Sequence, residues 1–73
     1  MKLKNVKVGL RVQIKTQVES VPKDTLGTVT EVLGSNVCVH WDDYVNGWGC
    51  KETHVPVGYG WAVSSEDLRK VKE

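Results

Sequence analysis

The sequence has no phenylalanine and a single methionine, so any buried core must be assembled from valine, isoleucine, leucine and tryptophan. Its two cysteines are too few for the disulfide frameworks that hold small secreted domains together. They are expected to be thiols, and the expected compartment is the cytoplasm. No apolar run approaches the ~20 residues of a membrane-spanning helix. The lysines within Met1-Lys2-Leu3-Lys4-Asn5 lead into alternating valine and polar residues rather than the apolar stretch of a secretory signal. An excess of one charge is also missing. Ten Lys and Arg against nine Asp and Glu leave a formal net charge of +1, which gives no bulk electrostatic reason to expect nucleic acid, membrane or acidic substrate. Binding of that kind would need a local patch.

Hydrophobic residues make up 40% of the chain and charged residues 26%, ordinary usage for a folded protein. At 73 residues there is room for one domain, 1–73, with a modest core. The hydrophobic pattern has a period of two. In Val6-Lys7-Val8-Gly9-Leu10-Arg11-Val12-Gln13-Ile14, the residues Val8, Leu10, Val12 and Ile14 fall on one face and Lys7, Arg11 and Gln13 on the other, as in a half-buried strand. Residues 15–25 lose the alternation and include Pro22, which reads as a long loop. A strand resumes over Leu26–Leu33, where Gly27 marks a bulge or a close backbone approach. A three-residue turn, Gly34-Ser35-Asn36, then leads to Val37–Trp41, with Val37, Val39 and Trp41 inward and Cys38 and His40 outward.

Residues 42–60 are dense in Asp, Asn, Gly and Pro, which excludes a helix and leaves room for one short strand around His54–Val57. Tyr59–Val63 reads as a further strand. Ser64-Ser65-Glu66-Asp67 reads as a single 3₁₀ turn, and Arg69-Lys70-Val71 as a last short strand with Val71 inward. The expected fold is all-β: about five short strands that bury a core by closing into a small barrel, because no amphipathic helix is available to cover an open sheet.

The runs Val8-Gly9-Leu10-Arg11-Val12, Gly27-Thr28-Val29-Thr30-Glu31-Val32, Val37-Cys38-Val39-His40-Trp41-Asp42 and Trp61-Ala62-Val63 with Glu66-Asp67-Leu68 resemble the layout of bacterial and phage SH3-like domains. KOW, Tudor-like and mind-bomb-type domains share parts of it. The resemblance implies an SH3-like barrel and a binding module; these segments are signatures of structural elements, not of an active site. The early loop carries Glu19 and Asp24 but no aromatic ring, which argues against recognition of proline-rich peptides in the SH3 manner.

Three sets of residues are candidates for function. Cys38, His40, Cys50 and His54 are potential zinc ligands if the late loop folds back over the strand, although C-x-H is tighter than usual ligand spacings. The plain alternative is a pair of small, partly covered thiols with no cofactor. A Cys–His nucleophile would also need an oxyanion donor pair and a cleft, and no enzyme activity is expected. The second set is the late loop. Trp41 and Trp61 occupy strand positions suited to the core, whereas Tyr44 and Trp48 sit among turn residues, where large rings anchor interfaces. With Tyr59 as a further anchor and Asp42 and Asp43 as polar rim, the expected partner is a protein; the alternative for Trp48 is a lid over one end of the barrel. The third set comprises basic residues near the two chain ends: Lys2, Lys4, Lys7, Arg69 and Lys70, with Lys15 and Lys72. If the ends meet, and if Tyr44 or Trp48 lies nearby, they would suit single-stranded nucleic acid.

Overall fold

The computed structural model describes residues 1–71; Lys72 lies outside them. Six strands run in order β1 (Arg11–Ile14), β2 (Leu26–Leu33), β3 (Asn36–Trp41), β4 (Trp48–Cys50), β5 (Val55–Ser64) and β6 (Leu68–Lys70). All pairings are antiparallel and form one sheet of order β4-β5-β3-β2-β1-β6. Short 3₁₀ turns occupy Leu3–Asn5 and Ser65–Asp67, and there is no α-helix among the described residues. The sheet has two free ends, β4 and β6, with no ladder joining them among the described residues. A flat six-stranded sheet would be about 10 Å thick; the extents here are 27 × 24 × 24 Å, so the sheet curls around its apolar face. Among the described residues, no helix is long and apolar enough to cross a membrane.

That face carries Val12, Ile14, Val29, Val37, Val39, Trp41, Val63 and Leu68, each no more than 3% exposed. Val, Ile and Trp at alternate positions pack well on a pleated surface, which is why the period of two is visible in the sequence. Without phenylalanine, Trp41 is the largest wholly buried side chain, and Trp61 packs half-buried against the same cluster, as expected. The Trp41 indole N–H has no acceptor among the described residues.

The structure corrects several expectations. The described residues form six strands: β4 adds one inside the turn-rich segment, while β5 runs unbroken through ten residues. Val55–Ser64 thus merges the two short strands expected there. The strand expected from Val6 begins only at Arg11, because Lys7–Leu10 is a turn closed by Leu10 N–H donating to the Lys7 carbonyl (3.1 Å); Val8 on that turn is 69% exposed. The hairpin turn has two residues, Gly34 and Ser35, since Leu33 pairs directly with Asn36. Gly27 is a close approach and not a bulge: a methyl group there would lie 2.5 Å from Val39 Cγ1 and 2.9 Å from the His40 carbonyl. The bulge falls between Val29 and Glu31, and the Thr30 hydroxyl donates to the Cys38 carbonyl (3.2 Å). Residues 15–25 are a loop as expected, but not a detached one. A Val18–Val21 bridge turns Val21 wholly into the core. Leu68, not Val71, is the inward residue of β6.

Candidate binding surface

The ladders bring residues from five strands into one row on the outer face. Arg11 pairs with Thr28, Thr28 with His40, His40 with Gly60 and Gly60 with Trp48, and paired residues in antiparallel strands project to the same side. At one end of this row, Arg11 donates to both Asp42 carboxylate oxygens (2.8 and 2.6 Å) and to the Thr28 hydroxyl (2.9 Å). This forked geometry is what guanidinium provides and ammonium does not. Hydrogen bonding to Arg11, opposed by partial burial and aided by the charges of Arg11 and His40, holds the Asp42 carboxyl below the ordinary carboxylate range. The same hydrogen bond raises Arg11.

In the middle of the row, His40 meets the Tyr59 ring edge to face (6.3 Å, 84°), and Tyr59 meets Tyr44 the same way (5.8 Å, 83°). Such perpendicular arrangements set the positive edge of one ring against the negative face of the next. Two features fix Tyr44. Its hydroxyl donates to the Asn46 side-chain oxygen (3.0 Å), and its ring lies over Gly58, whose φ of 96° no L side chain adopts easily. A methyl group on Gly58 would strike the Tyr44 ring. The segment between β3 and β4 is tied down by Val45 N–H and Gly47 N–H, both donating to the Gly58 carbonyl (2.8 and 3.2 Å). Tyr44 nevertheless remains 63% exposed, and Val57 nearby in β5 is 82% exposed. Tyr59 is half-buried, and Asp43 is exposed.

Trp48 sits at the far end of the row with its ring across Gly60. It is half-buried, so part of its surface covers the sheet. This leaves less of its ring free for a partner than Tyr44 has. The exposed ring of the loop is Tyr44.

The four candidate metal ligands do not converge: among the described residues, no group of three or more His, Cys, Asp and Glu side chains is placed to hold a metal ion. His40 is engaged with Tyr59, and His54 is exposed at the end of the Lys51–His54 turn with φ 59°. The strand–turn–strand path of β4 and β5 sends His54 outward, where the sequence reading folded it back. Both thiols are free. Cys38 is buried under the outer face, and desolvation, with Glu31 and Cys50 nearby, raises its pKa. Cys50 is half-exposed at the turn, where the Thr53 hydroxyl and the backbone N–H groups of Thr53 and Glu52 lower its pKa. The buried Thr53 hydroxyl has no partner at hydrogen-bond geometry among the described residues. No imidazole is hydrogen-bonded to either sulfur among the described residues.

The basic residues divide. Lys4, Lys7 and Lys70 line one open depression of about 470 Å³ together with Met1, Asn5 and Leu10. Lys2 and Lys15 line an adjoining one of about 620 Å³, with Met1, Ser64, Ser65 and Glu66 on its wall. Arg69 projects elsewhere, toward Asp24 (3.9 Å), because neighbours on a strand face opposite sides. No aromatic side chain lines either depression, so the expected pairing of the lysines with Tyr44 or Trp48 does not occur.

Sequence reasoning missed Arg11, Thr28 and His40 as parts of the aromatic surface, since only the strand register places them beside Asp42 and Tyr59. Gly58 and Gly60 read as turn formers in the sequence, whereas inside β5 they mark the close approach of the Tyr44 and Trp48 rings. Searches of protein-family models, curated proteins and solved structures find no match to this chain.

Proposed function

We propose that the protein is a non-catalytic binding module of SH3-like barrel architecture. It recognises a protein partner through Tyr44 and Tyr59, with Asp42 and Asp43 as the polar rim and Trp48 packed at the end of the same outer face. The barrel reading draws support from the curled six-stranded sheet, the tight β2–β3 hairpin and the 3₁₀ turn before the last strand. The observation that carries the functional reading is Tyr44: a ring 63% exposed, yet held by Tyr59, Asn46 and Gly58. An aromatic side chain fixed before binding loses little conformational entropy on association and suits an interface anchor.

The test compares the wild-type chain with Tyr44→Ala for retention of proteins from an extract of the source cells, with melting temperatures measured on both. A discrete protein retained by the wild type and lost by the variant, at melting temperatures within ~3 °C of each other, is the expected result. Equal retention by both, or none by either, overturns the reading.

A further inference from the structure

The end of the molecule where Lys4, Lys7 and Lys70 meet plays no part in the aromatic surface. Two of these lysines come from the segment before β1 and the third from β6, which pairs with β1; the fold therefore gathers them from opposite ends of the sequence. Their depression contains no carboxylate, and Asn5 adds an amide to its wall. Its apolar part is Leu10 and Met1, both half-buried against the core. The adjoining depression shares Met1 and adds Lys2 and Lys15 against a single acid, Glu66. Five lysines and one carboxylate thus line this end of a chain whose net charge is only +1.

We infer that this paired depression is a binding track for the phosphodiester backbone of single-stranded nucleic acid. Lysine ammonium groups act as point charges that tolerate varied phosphate positions, and a flexible strand can seat successive phosphates on separate lysines. A concave surface admits a strand more readily than a rigid duplex or a flat bilayer. The apolar floor of Leu10 and Met1 covers part of a sugar or base. With no ring to stack on, affinity comes from the backbone charge, so binding is indifferent to sequence and sensitive to salt.

Fluorescence anisotropy with a labelled 20-nucleotide oligothymidylate and the full chain tests this. Three phosphate contacts on a single strand give a log–log salt slope near −2, so raising salt from 50 to 200 mM weakens binding about twentyfold. The triple variant Lys4→Ala, Lys7→Ala, Lys70→Ala is expected to lose more than about tenfold in affinity at 50 mM salt and to flatten the slope. The control Lys23→Ala, Lys51→Ala, which removes two exposed lysines outside both depressions, changes affinity less than about twofold. A Lys→Gln triple, checked by thermal melting, guards against loss of fold. Absence of binding at 50 mM salt, equal binding by the triple variant, or equal loss in the control overturns the assignment. So does binding to vesicles of phosphatidylserine and phosphatidylcholine that oligothymidylate fails to displace. Because Tyr44 lies outside the track, Tyr44→Ala leaves oligonucleotide binding unchanged, and the two proposals fail separately.

Discussion

The aromatic side of the molecule and its lysine-lined end are held in place by different physics. Around Tyr44, Tyr59 and Trp48, rings lie on glycines so closely that one added methyl group would strike them. Backbone hydrogen bonds tie the connecting segment to the Gly58 carbonyl. Around Lys4, Lys7 and Lys70, side chains rim an open depression and project into water. Short-range packing makes the first surface rigid and intolerant of change. Long-range Coulomb forces make the second adaptable, and they weaken with salt because surface charges are screened beyond about 10 Å at 0.1 M ionic strength.

The sharpest way to break this contrast is Gly60→Ala. The new methyl group would meet the Trp48 ring and, at 2.7 Å, the Trp48 carbonyl, and backbone cannot yield as a side chain can. A loss of about 3 kcal/mol, at the upper end of overpacking costs, is expected in urea unfolding. A variant as stable as wild type would show that the glycine bed is not what fixes the aromatic side.

Trp48→Ala comes next. Because the ring is half-buried, its removal should cost about 2 kcal/mol, below the ~3–5 of a fully buried tryptophan. No change in thermal melting would return Trp48 to the role of a free anchor.

Asp42→Asn probes the edge of the same surface. Both partners of the Arg11–Asp42 pair are more than a third exposed, so its worth is screened to about 0.5 kcal/mol. Arg11 holds the folded-state carboxyl below its unfolded value. The stabilisation is therefore present at neutral pH, above the unfolded pKa, and is lost as pH falls through the ordinary carboxylate range and below it. Denaturation series for wild type and variant should converge in acid and separate toward neutrality; a gap that persists in acid would assign the effect to something other than the ion pair.

The smallest effect is expected at the other end. Lys4→Ala or Lys7→Ala alone should change stability by less than about 0.5 kcal/mol in the same unfolding experiment. A larger loss at either position would mean that the lysine stems pack as part of the structure, and the contrast between the two regions would fail.

Much of the fold can be read from the chain because β-strands announce themselves locally. Val12 and Ile14 inward, Val37, Val39 and Trp41 inward, and the 3₁₀ turn at Ser65–Asp67, where the Ser64 hydroxyl accepts from Glu66 N–H (3.4 Å), all follow from period and turn chemistry within a few residues. Val8 broke the pattern because a turn at Lys7–Leu10 takes it out of the strand, and alternation alone does not show where a strand starts. β4 was hidden since a three-residue strand among glycines has no period to display.

Residue chemistry by itself determined that this is an all-β chain with a valine and tryptophan core and with its rings concentrated in residues 41–61, because strand periodicity and turn propensity act between near neighbours. Only the tertiary structure decided which of those rings stays in water, that His40 and His54 part company, that Arg11 grips Asp42, and that lysines from both ends of the sequence meet. Each of these depends on how strands distant in sequence are set side by side, and a single shift in register would have undone it.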